Sequence, residues 1–201
     1  MKVFKFGGAS VKDAVGVKNL SSIIHQQHGQ LIVVVSAMGK TTNLLETLCN
    51  AYFHQDPKAT AIMKELKNFH LDIVNTLFPL NAPVYKHLEE LFTNLENILT
   101  SESSLCYDYE YDRIICFGEL ISTTIISDYL KMEGIENQFI DIRKFLKTDQ
   151  NYRNANIDLE LSEQLCKETF DFKASSIFVT QGFIAGTRTN QTTTLGREGS
   201  D

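Results

Sequence analysis

Two glycine-containing turns carry groups that suit the binding of anions. In the first, Lys5–Val11, a lysine stands just before the glycine pair Gly7 and Gly8. Because glycine has no side chain, a ligand can approach the backbone N–H groups closely, and a positive charge lies beside them. This combination suits a phosphate group. A plain tight turn beside a surface lysine remains the alternative interpretation.

The second turn, Ser36–Asn43, contains a Gly-Lys-Thr sequence between a predicted strand and a predicted helix. This order resembles the Walker A phosphate-binding loop, but that loop needs a further glycine five residues earlier, where Val34 stands. We therefore exclude a Walker A loop. The hydroxyl groups of Ser36, Thr41 and Thr42 remain at a helix N-terminus, which suits an anionic group such as a carboxylate. Simple helix capping is the alternative.

Two further segments place charged side chains where they could bind a ligand. Glu119 lies in an otherwise apolar helical segment. A buried carboxylate is costly unless it is paired, and its partner is either a ligand ammonium or a local cation such as Arg113. The last ten residues are rich in threonine and glycine and contain Arg197 and Asp201. Arginine can hold a carboxylate with two N–H groups, although a disordered polar tail would have the same composition.

The apolar pattern predicts alternating strands and helices around these segments. Strands are predicted at Val3–Phe6, Leu31–Ser36, Gln138–Ile142 and Ser176–Gln181. Helices are predicted at residues 10–28, in a segment that starts at about residue 42, at 57–99 with a break at Pro79 and Pro83, at 113–132 and at 159–170. The acidic stretch 101–111 is predicted to be a loop or the entry to a helix. This order indicates an α/β sheet with right-handed crossovers, in which ligands bind near the ends of the strands.

Composition excludes several classes of protein. Apolar residues make up 43% and charged residues 22% of the 201 residues, which is ordinary for a globular protein. No apolar run approaches the ~18 residues of a membrane span, and no signal peptide is recognised, so we predict a cytoplasmic protein without a membrane partner. The net charge of −6 and the scattered basic residues argue against a nucleic-acid partner. The four cysteines lack CxxC spacing and are predicted to be free thiols, with no protein metal site.

Taken in order, five segments resemble the motifs of aspartokinases, within the amino-acid-kinase family. They are Lys5–Val11, Val35–Leu45, Phe117–Ser122, Gln181–Gly186 and Thr193–Asp201. One such motif alone would be weak evidence, whereas five motifs in the family's order across residues 2–201 are strong evidence of a resemblance. The resemblance implies the amino-acid-kinase fold, a three-layer αβα sandwich with a mainly parallel sheet, truncated here at its C-terminus.

The implied reaction transfers the γ-phosphoryl group of ATP, used with Mg²⁺, to the side-chain carboxylate of L-aspartate. This is the first step in the synthesis of lysine, threonine and methionine. The motifs imply two catalytic residues, Lys5 and Asp201. They also imply binding of aspartate by Ser36, Thr42, Glu119, Arg197 and Ser200, and binding of phosphate by Lys5, Gly7 and Gly8. Since aspartate is already ionised at neutral pH, Asp201 is better interpreted as an organising group than as a general base.

The sequence departs from the family's pattern in two residues and in length. Ala9 stands where threonine is usual, and Glu198 stands beside Arg197 where glycine is more usual. In the family, the segments that bind most of ATP, and the ACT domains, follow the Gly-Ser-Asp motif. We therefore interpret residues 1–201 as the N-terminal, substrate-binding part of a kinase domain. We expect little kinase activity from this chain alone, and self-association into a homo-oligomer through an unpaired sheet edge.

Three alternatives remain open. The chain could belong to another amino-acid kinase, one that acts on glutamate, uridylate or carbamate, although its motifs resemble the aspartate branch. It could be the kinase segment of a bifunctional aspartokinase/homoserine dehydrogenase. It could also be a non-catalytic module that binds an amino acid without ATP.

Overall fold

The computed structural model describes residues 1–196, so Arg197, Ser200 and Asp201 lie outside the described residues. The strands are β1 (Lys2–Phe6), β2 (Leu31–Val35), β3 (Gln138–Ile140), β4 (Lys147–Thr148), β5 (Ile177–Gln181), β6 (Ile184–Thr187) and β7 (Thr192–Thr194). The helices are α1 (Ala14–His25), α2 (Thr41–Phe53), α3 (Lys58–Leu77), α4 (Val84–Thr100), α5 (Tyr107–Ile115), α6 (Phe117–Met132) and α7 (Leu159–Thr169), with a 3-10 turn at Ile142–Lys144.

The main sheet has four strands in the order β1-β2-β5-β3, and every pairing is parallel. The predicted mainly parallel α/β sheet is confirmed. Strand β2 lies inside it because the run Leu31–Val35 is apolar at every position. Leu31, Val33 and Val35 are buried, whereas Ile32 and Val34 on the other face are half-buried. Parallel pairing places the carboxyl ends of all four strands at one edge, where the candidate turns follow.

Helix α1 follows its sequence signals. The Asp13 side chain caps it by accepting a hydrogen bond from the N–H of Gly16 at 2.8 Å. Val17, Leu20 and Ile24, which have helical spacing, are all buried. The helix ends at His25, a few residues before the predicted end at His28. Among the described residues, no helix is both long and apolar enough to cross a membrane. All four cysteines are free thiols, as predicted.

Two parts of the fold differ from the sequence prediction. The helix predicted at 113–132 is two helices that meet at Cys116, and the first, α5, begins at Tyr107, within the acidic stretch predicted to be a loop or the entry to a helix. A second sheet, in the order β4-β6-β7, was not predicted. Its strands have two to four residues and consist largely of threonine and glycine, too short for an apolar period.

Candidate active site

The turns after β1 and β2 lie in contact at the carboxyl edge of the main sheet. The N–H of Gly39 donates to the carbonyl oxygen of Gly8 at 3.0 Å, and that of Ser36 donates to Phe6 at 3.1 Å. A Cβ on Gly8 would lie 2.5 Å from the carbonyl oxygen of Ala37, closer than real contacts allow. A Cβ on Gly7 would meet no atom within 4 Å. Gly8 therefore serves the approach of the two turns, while Gly7 faces open space.

This difference gives a matched prediction. We expect Gly8→Ala to lower the free energy of unfolding by about 2 kcal/mol, because the added methyl group must separate two hydrogen-bonded turns. Gly7→Ala adds the same methyl group in open space, and we expect a change below about 0.5 kcal/mol. Urea unfolding of both variants measures the difference. Equal effects of the two substitutions would contradict this account of the turn.

Glu119 joins helix α6 to the second turn. Its Oε1 accepts a hydrogen bond from the N–H of Ala37 at 3.1 Å, and the residue is 2% exposed. Its Oε2 is buried and has no hydrogen-bond partner among the described residues. Burial raises the pKa of this carboxyl group to about 8, and the bond from Ala37 acts in the opposite direction. The site thus contains a buried carboxyl group with one oxygen that no residue in the described part of the chain contacts by a hydrogen bond.

The local cation that the sequence offered for Glu119 pairs elsewhere. Arg113 Nη1 lies 2.8 Å from Glu110 Oε2, one turn earlier on α5. Gly118 explains how α6 comes close enough to the second turn, since a Cβ there would lie 2.8 Å from the Cβ of Ala37. The close contact and the turn in the chain at Cys116 aim Glu119 at the second turn rather than at Arg113.

Buried hydroxyl and amide groups hold α6 in this position. Ser122 Oγ donates to the carbonyl oxygen of Ser36 at 2.9 Å. Gln181, at the end of β5, donates from Nε2 to Thr123 Oγ1 at 2.9 Å and accepts from the N–H of Ile142 at 2.9 Å. The side chain of Gln181 therefore links β5, α6 and the segment after β3. None of these bonds was predicted from the sequence, because they join residues that are far apart in the chain.

A buried histidine supports the second turn from α3. The Thr41 hydroxyl donates to the carbonyl oxygen of Met38 at 2.6 Å, so it closes the turn, whereas Thr42 is half-buried. His70 Nε2 lies 3.4 Å from Thr41 Oγ1, and Nδ1 lies 2.8 Å from the carbonyl oxygen of Leu66. Burial lowers the pKa of His70 to about 4, so the ring is neutral at pH 7. Of the hydroxyl groups proposed for an anion, that of Thr41 is already used within the protein.

Two more of the predicted residues, Lys5 and Ser36, lie around the same edge. Lys5 is exposed near the end of β1, and Ser36 is half-buried directly after β2. The structure therefore brings Lys5, the two glycines, Ser36, Thr42 and Glu119 to one edge of one sheet. Strand β7 precedes Arg197 in the sequence. Directly after β7, the N–H of Leu195 donates to the carbonyl oxygen of Phe183 at 2.9 Å, and Phe183 lies just after β5.

This arrangement can bind a zwitterion beside an anion. The ionised Glu119 carboxylate would accept a ligand ammonium group, and the first turn of α2, with Ser36 and Thr42, would take a carboxylate. Lys5 and the open side of Gly7 suit a phosphate group. Among residues 1–196, no group of three His, Cys, Asp or Glu side chains is arranged to bind a metal ion.

Comparison with known proteins agrees with this chemistry. The model of the Amino acid kinase family matches residues 1–201. The chain is 28% identical over 200 residues to the lysine-sensitive aspartokinase 3 of Escherichia coli, covering 99% of this chain and 44% of that protein. It is 32% identical to the chloroplastic aspartokinase 2 of Arabidopsis thaliana, covering 99% of this chain and 38% of that protein.

Solved structures show the same similarity. E. coli aspartokinase III in complex with lysine and aspartate superposes with a TM-score of 0.89 at 27% identity, covering 98% of this chain and 44% of that one. The same enzyme in complex with aspartate and ADP gives a TM-score of 0.88. The chain thus spans less than half the length of these relatives. With its whole length matched by the family model and its fold shared with these enzymes, this chain belongs to the amino acid kinase family.

Proposed function

We propose that this chain is the aspartate-binding part of an aspartate kinase, which phosphorylates the side-chain carboxylate of L-aspartate with ATP. The observation that carries the proposal is Glu119, a buried carboxyl group whose Oε2 has no hydrogen-bond partner within residues 1–196. A ligand that bears an ammonium group supplies that partner. L-aspartate also bears two carboxylates, which suit the hydroxyl groups of Ser36 and Thr42 and the guanidinium group of Arg197, with Ser200 nearby in the sequence.

The chemical problem in this reaction is charge repulsion, since a carboxylate must approach a polyanionic phosphate. The carboxylate of aspartate is ionised at neutral pH and needs no base. Lys5 and the N–H groups of the Gly7-Gly8 turn would offset the negative charge on the transferred group. Asp201 would organise the charged groups around it. Bound ATP supplies the phosphoryl group, and Mg²⁺ would be held by phosphate oxygens together with one or two carboxylates.

Several finer statements belong to the same proposal. The reaction would begin the synthesis of lysine, threonine and methionine, in the cytoplasm. Most of the ATP site is also proposed to lie in other segments of the kinase domain, and the chain covers 44% of the E. coli relative. Association into a homo-oligomer is also proposed. The half-buried face of β2 and the unpaired edge of β1 support it.

Calorimetric titration of the purified chain with L-aspartate, and separately with Mg-ATP, tests the proposal. We expect aspartate to bind, and we expect weak or no binding of Mg-ATP. Because the free carboxyl group of Glu119 has a pKa of about 8, pairing with an ammonium at pH 7 must expel its proton. Titrations in buffers with different ionisation enthalpies should therefore show release of about one proton for each aspartate.

Each outcome separates the proposal from its alternatives. Absence of aspartate binding would contradict the proposed function. Tight binding of Mg-ATP, or formation of aspartyl phosphate by this chain, would contradict the division between an aspartate part and a nucleotide part. Aspartate binding without proton release would mean that the ammonium does not reach Glu119. A non-catalytic amino-acid-binding module would bind aspartate but show no phosphorylation even when the remaining kinase segments are supplied.

A further inference from the structure

Asp112 of helix α5 connects two segments that are distant in the chain. Its Oδ2 accepts hydrogen bonds from the N–H groups of Arg153 and Thr194, each at 3.0 Å. Its Oδ1 accepts one from the Thr194 hydroxyl at 2.7 Å. Asp112 is fully buried. One side chain therefore fixes the loop before α7 and the end of β7 at the same time.

The loop and the end of β7 are also in direct contact with each other. The N–H of Ala155 donates to the carbonyl oxygen of Thr194 at 3.0 Å. Gly196 has a φ of +78°, and a Cβ there would lie 2.7 Å from Asn154 Oδ1. The backbone at Gly196 is therefore confined by residues 153–155, whose own position depends on the bond from Arg153 to Asp112.

Helix α5 holds the loop by its side chains as well. Arg153 has a φ of 65°. Its guanidinium group lies 3.0 Å from Asp108 Oδ1 and 4.4 Å from the centroid of the Tyr111 ring. Both contacts come from the helix that carries Asp112, so α5 forms a rigid support for the loop and for the strand beyond it.

We propose that Asp112 is a positioning residue for substrate binding: its ionised carboxylate fixes residues 194–196, which directly precede Arg197 in the sequence. A carboxylate suits this task because it accepts all three hydrogen bonds without contributing a donor of its own. The inference rests on the proposed function, in which Arg197 binds a carboxylate of aspartate. It assigns a role to a residue of the acidic stretch that the sequence motifs do not include.

The charge state of Asp112 is set by its surroundings. Burial raises the pKa of Asp112 to about 6, whereas the hydrogen bonds from Arg153 and Thr194 act in the opposite direction. The titratable and charged groups around it are Cys49 on α2, Asp108, Glu110, Tyr111 and Arg113 on α5, Cys116 before α6, and Tyr152 and Arg153 on the loop. Asp112 is therefore ionised at about pH 7.5 and protonated well below pH 6. Once protonated, it no longer presents a charged acceptor, so its three hydrogen bonds weaken.

Calorimetric titration with L-aspartate between about pH 5 and 8 tests the inference in wild type and Asp112→Asn. At about pH 7.5 we expect the variant to bind about tenfold more weakly, because a neutral amide replaces the charged acceptor of three hydrogen bonds and its NH₂ group can no longer accept from the Thr194 hydroxyl. The ratio of the two dissociation constants should approach one below about pH 5, where Asp112 of the wild type is itself protonated. A ratio that does not depend on pH would contradict the inference, because the ionised form of Asp112 would then not be needed for binding.

Glu110→Gln is the matched control. Glu110 lies on the same helix and is equally buried, but it accepts from Ser104 N–H at 2.7 Å and from Arg113, and has no bond to β7. We expect the ratio of the dissociation constants for L-aspartate of Glu110→Gln and wild type to stay the same across this pH range. Amide hydrogen exchange at residues 192–196 should be faster in Asp112→Asn than in wild type, and unchanged in Glu110→Gln.

Failure of the inference and failure of the proposed function can be told apart. Wild type that binds aspartate, with Asp112→Asn binding as tightly at all pH values, overturns the inference alone. Wild type that binds no aspartate overturns the proposed function and the substrate role of Asp112 together. If Asp112→Asn does not fold, Thr194→Val removes only the hydroxyl bond to Oδ1, and about threefold weaker binding at about pH 7.5 is expected. Unchanged binding by this variant overturns the inference.

Discussion

Replacement of Glu119 by glutamine is expected to weaken the binding of L-aspartate by about a hundredfold near pH 8. Glutamine keeps the size of the side chain, and its carbonyl oxygen can still accept from the N–H of Ala37, as Oε1 does at 3.1 Å. Its NH₂ group then takes the place of the unpaired Oε2. A donor would face the ammonium group of the ligand where the wild type presents a negative acceptor. Calorimetric titration measures the loss.

Succinate provides the sharpest control for this prediction, because it is aspartate without the ammonium group. Wild type should prefer L-aspartate to succinate, whereas Glu119→Gln should lose that preference. Glu110→Gln removes another buried carboxylate that is paired with Arg113, and its affinity for aspartate near pH 8 should stay within about threefold of wild type. Equal loss of affinity for both ligands in Glu119→Gln would show that the side chain supports the fold of the site without contacting the ammonium.

The sequence indicated that the candidate turns follow the strands at one edge because the rule behind this placement is topological. Four apolar strands in an α/β order place their following turns at one edge, so the first two turns could be predicted to lie together. The pairing of β1 with β2 confirms this placement. The exposed or half-buried positions of Lys5, Ser36 and Thr42 agree with ligand contact, while their roles stay predictions.

The partners of the buried charges could not be predicted in the same way. Arg113 seemed a plausible partner for Glu119 because both fall within one predicted helix. The structure has two helices, and Arg113 pairs with Glu110 instead. An interruption of one residue, Cys116, carries no glycine or proline signal, so the apolar pattern gave no sign of it.

The acidic stretch 101–111 was predicted to be a loop or the entry to a helix, and the start of α5 at Tyr107 could not be located because its buried face contains acidic side chains. Glu110 and Asp112 are both fully buried, with partners that come from residues 104, 113, 153 and 194. The apolar pattern of a sequence does not distinguish a buried carboxylate from an exposed one, so an acidic stretch is interpreted as an exposed segment. The small sheet was missed for a related reason, since buried threonines such as Thr193 and Thr194 form it with hydrogen bonds rather than apolar contacts.

The buried carboxyl group of Glu119 should also make the stability of the free chain depend on pH. Its pKa is raised by burial from 4.5 to about 8, so the native state holds a proton that the unfolded state has lost between these pH values. The free energy of unfolding must therefore fall as the pH rises through this window, and level off above it. Asp112, with a pKa of about 6, acts in the same direction at lower pH. His70, with a pKa lowered to about 4, acts in the opposite direction below its ordinary value of 6.5.

The effect of Glu119 is therefore best measured above pH 6.5, where neither Asp112 nor His70 adds much to the change of the free energy of unfolding with pH. Between about pH 6.5 and 8.5 we expect wild type to lose about 2 kcal/mol of unfolding free energy through Glu119. Urea unfolding at several pH values measures this slope, and Glu119→Gln should remove it, since the amide does not titrate. A variant that keeps the wild-type slope would show that the titrating group lies elsewhere. Because the ammonium of aspartate stabilises the ionised form, saturating aspartate should flatten the wild-type slope too, which would link the stability of the chain to the ligand that Glu119 is proposed to bind.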